Sequence, residues 1–204
     1  QSPECIGEPF LGRYWVWESS GSSGQPGLYV HDEAAMAVYD VLEAGRRDSP
    51  RPWVRWFDPL FLGERFALVG ATGGHFASHV CVQRLRRVNP WVTQQWKSLS
   101  ILQPLPELVS ALNVLQPTIL ATYPTAAVIL AEQARAGHLH LRLQEVWTGG
   151  ETLSAGMRRV IDTLLDHCDT LNRTARALPQ KIRDRRLRLE TAVIVGLAER
   201  LAAR

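Results

Sequence analysis

The chain has 204 residues, 46% of them apolar and 21% charged, which is enough for one or two packed domains and excludes collagen-like and low-complexity classes. Of its 23 Lys/Arg and 20 Asp/Glu, nine and four fall in residues 169–204, so that tail carries +5 and the rest −2 of the formal net charge of +3. The body therefore gives no electrostatic reason to expect nucleic acid, and with no run of about 18 apolar residues a helical membrane span is excluded.

In chain order, residues 1–13 read as irregular, broken by Pro3, Gly7, Pro9 and Gly12. The chain opens on Gln1 with no basic-then-apolar leader, so the N-terminus is expected to be processed, and no targeting signal is read from it. Arg13 to Trp17 reads as a strand and Leu28 to Val30 as another. Between them, Ser19 to Gly27 packs four serines and three glycines into nine residues. Two readings stay open from these residues. One is a linker or plain hairpin. The other is a loop that wraps an anion, because glycines let backbone N–H groups turn inward and serine hydroxyls add donors.

Asp32 is placed to cap a helix through Ala34, Met36, Val38, Tyr39, Val41 and Leu42, ending near Gly45 and expected to face the core, and Arg46 to Pro52 is a polar break. Phe66 to Thr72 is a continuous apolar run that stops at Gly73-Gly74-His75. That pattern fits a buried strand of a parallel sheet, with its loop at the carboxyl end where α/β folds hold ligands. His75 and His79 are four apart, with Cys81 two further on. Without a further ligand cluster they read as a loop histidine and a packed one, and no metal site is assigned. Cys5, Cys81 and Cys168 are odd in number and far apart, which favours a reducing, cytoplasmic compartment.

Gln94 to Leu102 shows no decisive pattern. Pro104-Leu105-Pro106 opens a helix with Leu108, Ala111, Leu112 and Leu115 on one face, ended by Gln116-Pro117. Thr118 to Thr122 is a short buried strand and Tyr123-Pro124-Thr125 a turn. A helix follows through Ala126, Val128, Leu130 and Ala134 to Gly137. Leu141 to Trp147 leads into a strand ending at Thr148-Gly149-Gly150-Glu151, and Ser154 caps a helix through Met157, Val160, Ile161, Leu164 and Leu165. The strand–loop–helix alternation predicts an α/β fold with a largely parallel sheet, with both glycine pairs on the same edge as the Ser/Gly loop. The seven tryptophans read first as core or interface anchors.

Three of these segments, in this order, resemble the adenylate-forming (AMP-binding) superfamily, and within it the phenylacetate–CoA ligase-like branch. They are Ser19 to Gly27, Gly70 to His79, and Val146-Trp147-Thr148-Gly149-Gly150-Glu151-Thr152-Leu153-Ser154. Leu115 to Leu130 is similar to a further block of that branch. The resemblance implies that Ser19, Ser20, Gly21, Ser22, Ser23 and Gly24 hold the β- and γ-phosphates of ATP. It implies that Gly149, Gly150 and Glu151 lie against the adenine, and that His75 and Trp147 border the acyl substrate. The implied cofactors are ATP and Mg²⁺, with coenzyme A as thiol acceptor; the implied partners are a nucleotide and a small carboxylic acid. The implied reaction is attack of the carboxylate on the α-phosphorus, giving an acyl-adenylate and pyrophosphate, followed by acyl transfer to the thiol. The protein's part is to neutralise phosphate charge and to align the acid.

The departures are specific. Gln25 and Gly27 flank Pro26 where such loops carry a lysine. The acidic Mg²⁺-binding motif, the ribose-binding aspartate and the small C-terminal domain with its lysine are not found after Ser154. No catalytic residue is assigned. The resemblance thus implies a partial adenylation-domain sheet with flanking helices over residues 1–168. Residues 169–204 are expected as a basic amphipathic helical tail, weakly similar to the C-terminal part of squalene/phytoene synthase-like proteins but without their Asp-rich sites. The alternative is a non-catalytic remnant or α/β binding module. A Gly-x-Ser-x-Gly elbow and a Gly-Lys-Ser/Thr loop are both absent, which argues against a hydrolase and a P-loop kinase. An open sheet with an apolar edge is expected to be poorly soluble or to pair with another chain.

Overall fold

The computed structural model describes residues 5–19, 24–46, 63–90 and 93–176. Ser20, Gly21, Ser22 and Ser23 of the Ser/Gly loop, Trp53, Trp56 and Trp91, and the tail from 177 on lie outside the described residues.

Strands β1 (Trp15–Glu18) and β2 (Leu28–His31) form an antiparallel hairpin in which Glu18 faces Leu28. Helix α1 (Glu33–Arg46) follows, and its first turn is capped as the sequence predicts: Asp32 Oδ1 accepts the Ala35 N–H at 2.8 Å. Next come β3 (Phe66–Gly70), α2 (Ala77–Val88), β4 (Trp96–Ser100), α3 (Leu105–Leu115) and β5 (Ile119–Thr122). The described chain ends with α4 (Pro124–Arg135), β6 (Glu145–Thr148) and α5 (Ala155–Arg176). Ser154 Oγ accepts the Met157 N–H at 3.2 Å, the expected cap of α5. Helix α5 runs unbroken through residues 168 and 169.

Strands β3 to β6 make one fully parallel sheet in the order β4-β3-β5-β6. The fold class is α/β, as the alternation predicts. The crossover through α2 steps from β3 outward to β4, and the crossover through α4 steps from β5 outward in the opposite direction to β6. The chain direction therefore switches between β3 and β5, at the centre of the sheet.

Pleating splits the core in two. Ala67, Val69 and Leu120 pack with Leu108, Val109 and Leu112 of α3, Leu130 and Ala134 of α4, and Leu164 of α5. Phe66, Leu68, Ile119 and Trp96 point to the other face, where Val82 of α2 covers them. Every residue of β3 is buried, which is why it reads as a continuous apolar run. A third cluster of Trp17, Met36 and Val80 joins the hairpin and α1 to α2.

Four elements differ from expectation. Helix α1 forms but does not face the core: Met36 is buried, while Val38, Tyr39, Val41 and Leu42 are exposed. Strand β4 appears in the segment without a decisive pattern; only Trp96 is buried, so its alternation is blurred. Helix α2 has no counterpart among the expected elements, because Val80, Val82 and Val88 dilute its helical signal. The last strand starts at Glu145 rather than Leu141: Leu139, Leu141 and Leu143 are buried in the core, but pairing with β5 begins with Ile119 opposite Glu145.

Candidate functional site

In an open parallel sheet, ligands sit outside the carboxyl ends of the strands where the chain direction switches. The loops after β3, β5 and β6 meet there. They border a cleft of about 400 Å³ lined by Gly70, Phe76, Tyr123, Trp147, Gly149 and Gly150 among others. A second cleft of about 600 Å³ lies between the hairpin and the Gly73-Gly74-His75 loop, and a third of about 380 Å³ runs beneath α2 among Trp17, Phe66, Trp96 and Trp147. The structure thus places Trp147 at the first and third clefts and His75 at the second.

The hairpin is fastened to this edge by one residue that the sequence reading passes over. The Glu18 N–H donates to the His75 carbonyl at 2.9 Å, and Glu18 Oε1 accepts the His75 N–H at 3.2 Å. A Cβ on Gly74 would lie 2.7 Å from that same carboxylate oxygen, so a side chain there would push Glu18 off the His75 N–H. Beyond Glu18 the neck of the Ser/Gly loop is closed: Ser19 N–H donates to the Gly27 carbonyl at 3.0 Å, and Gly27 N–H donates to Ser19 Oγ at 2.9 Å. Ser19 is therefore the loop's latch, with one oxygen lone pair engaged; Gly24, beyond the neck, is exposed.

On the opposite wall, Gly150 has φ of +80° and a Cβ there would lie 2.9 Å from the Tyr123 ring. The Tyr123 hydroxyl is 3.9 Å from the corresponding point on Gly70, so this ring spans the cleft between β3 and the Gly149-Gly150 loop. Tyr123-Pro124-Thr125 is not a free turn: Tyr123 is the N-cap of α4 and Pro124 its first residue, a position that suits proline because no N–H is needed. That rule is the signal by which the start of α4 could have been found in the sequence. The Glu151 carboxylate accepts hydrogen bonds from the Thr125 N–H and hydroxyl at 3.1 and 2.8 Å. The Trp147 indole N–H donates to Glu145 Oε2 at 2.8 Å, and the ring lies 5.6 Å from Phe66.

Gly73 and Gly149 stand apart. Neither has a positive φ, and among the described residues a Cβ on either would meet nothing within 4 Å. Neither backbone conformation nor packing demands glycine there, and what its absence of a side chain leaves is bare main chain at the rim. Nearby, His79 is packed at 7% exposure; burial, reinforced by Arg86 and His75, pushes its pKa below the ordinary imidazole value. His75 Nε2 and His79 Nδ1 are buried without hydrogen-bond partners among the described residues. Among the described residues no three His, Cys, Asp or Glu side chains converge as metal ligands, and no helix is long and apolar enough to cross a membrane.

No family model matches the chain, and no curated protein matches it. Among solved structures it is similar to a 2-hydroxyisobutyryl-CoA ligase in an open conformation, in complex with 2-HIB-AMP and CoA. The identity is 20%, the TM-score 0.47, and the match covers 80% of this chain. The chain spans 36% of the length of that ligase.

Proposed function

We propose that the carboxyl edge of the parallel sheet binds an adenine nucleotide together with a small carboxylic acid, and that the chain supplies the front part of an acyl-adenylating acid–thiol ligase site. The observation that carries this reading is the pair of glycines, Gly73 and Gly149, which no constraint among the described residues explains and which bare the main chain at the hairpin cleft and the switch-point cleft respectively. It is supported by the order of the three resembling segments and by their convergence on one edge. In this reading Gly149 and Gly150 offer a flat backbone surface to the base, and Trp147 walls the acid. The phosphates fall to the Ser/Gly loop, whose sequence is rich in hydroxyl and N–H donors. When bound, ATP supplies the leaving group that activates the acid, and Mg²⁺ offsets phosphate charge. The chain's own contribution is to bind and orient both reactants. No lysine or arginine lines the first or second cleft among the described residues, so hydroxyls, backbone dipoles and the added metal would carry the phosphate charge.

The test is calorimetric titration with ATP and with AMP in the presence of Mg²⁺, followed by carboxylate-dependent pyrophosphate exchange. Saturable binding with or without exchange supports the site; exchange decides whether turnover survives. No binding of either nucleotide overturns the reading. A second reading, an α/β binding module without nucleotide chemistry, is favoured by the self-closure of the loop neck through Ser19 and Gly27. Under it, replacing Ser20, Gly21 and Ser23 by alanine leaves nucleotide titrations unchanged.

A further inference from the structure

Three residues of the β6–α5 loop are fastened to three residues around the β5–α4 junction. The Gly149 N–H donates to the Thr122 carbonyl at 3.2 Å. Gly150 lies against the Tyr123 ring so closely that a Cβ would sit 2.9 Å from it. The Glu151 carboxylate closes the series on Thr125, accepting both its N–H and its hydroxyl, the latter at 2.8 Å from Oε2 and 3.0 Å from Oε1. The geometry points to Glu151 as a positioning residue: through Thr125 it holds the Gly149-Gly150 main chain at the rim of the cleft, and it does not itself touch the ligand.

The chemistry fits that role. Tyr123, the N-cap of α4, makes no side-chain capping bond, and the helix has no acidic residue in its first turn. Its N-terminal N–H groups are orphan donors at the positive end of the helix dipole, where a carboxylate is favoured. Glu151 supplies that carboxylate from the next crossover, so one side chain caps a helix and tethers a loop at once. The first two fastenings involve no side chain of the loop and follow the backbone wherever it goes. Glu151 is the member of the series that a substitution can release without changing backbone conformation, since its neighbours are glycines. The consequence for ligand binding rests on the nucleotide reading above; the tether itself does not.

Four variants of the full chain test it: Glu151→Ala, Glu151→Gln, Thr125→Val and Thr125→Ser. Amide hydrogen exchange needs no ligand. We expect exchange across residues 149–151 to quicken about tenfold in Glu151→Ala, the fold-change that corresponds to loss of a helix cap. Thr125→Val, which keeps the N–H but loses the hydroxyl, should give a smaller increase, and Thr125→Ser should restore the parent rate. Glu151→Gln, which keeps an acceptor but not the charge, should fall between parent and alanine. Exchange in β3 should stay at the parent rate, separating a released loop from global unfolding. In parallel, the ATP dissociation constant should rise in the same rank order. If Thr125→Ser exchanges as fast as Thr125→Val, or Glu151→Ala leaves residues 149–151 at the parent rate, the tether is wrong. If exchange follows the expected order while the parent chain binds no ATP, the tether stands and the nucleotide reading falls. If the parent binds ATP and all four variants bind it equally, the nucleotide reading stands and Glu151 does not position the rim for it.

Discussion

At Gly150 the requirements of backbone and packing coincide. Its φ of +80° is costly for any residue with a Cβ, and that Cβ would sit 2.9 Å from the Tyr123 ring. Gly150→Ala should therefore lower stability by about 2 kcal/mol, read as a reduced urea midpoint with an unchanged slope. Gly149→Ala, with negative φ and open space, should cost under about 0.5 kcal/mol in the same measurement, as surface changes usually do. Equal losses in the two variants would refute the contrast. His79 gives a pH prediction. Its folded pKa is depressed, chiefly by burial and then by Arg86 and His75. Above the unfolded value of about 6.5 both states hold it neutral and its contribution to stability is complete. Below that pH the unfolded chain takes up a proton that the folded chain refuses. Stability then falls by at most about 1.4 kcal/mol per pH unit until the folded pKa is passed. Denaturation at pH 7.5, 6.5 and 5.5 should show this decline, and His79→Leu should flatten it; an equal decline in the variant assigns the effect to other groups.

Among the elements, the hairpin layer and the sheet layer are joined by α1 and α2, which meet through the packing of Met36 with Val80 and through an ion pair. Arg84 donates from both terminal nitrogens to both Asp40 oxygens at 2.8 Å, and that hydrogen bonding holds the guanidinium pKa above its usual value. The Arg84 side chain is 12% exposed, but Asp40 is 47% exposed, so solvent screens the pair. Arg84→Lys, which keeps the charge and loses the two-pronged geometry, should cost about 1 kcal/mol or less, and the cost should shrink in 1 M salt. A salt-independent loss would point instead to the packing of Arg84 over the Trp15 ring, 5.4 Å away. The elements legible in the sequence are those whose burial is uniform or strictly periodic. Strands β3 and β5 are apolar almost throughout, α4 buries one apolar face behind a proline at its first position, and Asp32 and Ser154 mark the starts of α1 and α5. Strand β4 and helix α2 are not legible for the converse reason: WKSLS is half-buried along most of its length, and α2 is rich in valine and arginine. The site divides in the same way. Glycine pairs announce themselves, because glycine has few local reasons to recur after a strand. Glu18, Tyr123 and Thr125 do not, because their roles arise only when the fold brings residue 18 to 75, 123 to 150 and 125 to 151.

For the molecule as a whole, the balance between its two sides decides how it behaves in solution. The helical layer of α3, α4 and α5 closes over a continuous core, with Leu112, Leu130 and Leu164 at 2% exposure or less. The hairpin side is different: Leu28 is 71% exposed and Val30 59%, and on α1 Val38 is 59%, Val41 71% and Leu42 52% exposed. Apolar side chains gathered on two neighbouring elements lower solubility, and a net charge of +3 on 204 residues offers little repulsion to offset that. Val41→Lys with Leu42→Lys should therefore raise the concentration at which the protein scatters light, while shifting stability by no more than about 0.5 kcal/mol, since neither side chain is in the core. Added charge alone would also help, so the comparison is with Ser110→Lys and Thr163→Lys, two exposed positions on α3 and α5. If both double variants raise the limit equally, charge and not the apolar face is responsible. If only the α1 variant does, the exposed face of this layer governs self-association, because the two proteins then have the same net charge and differ in where apolar surface meets water.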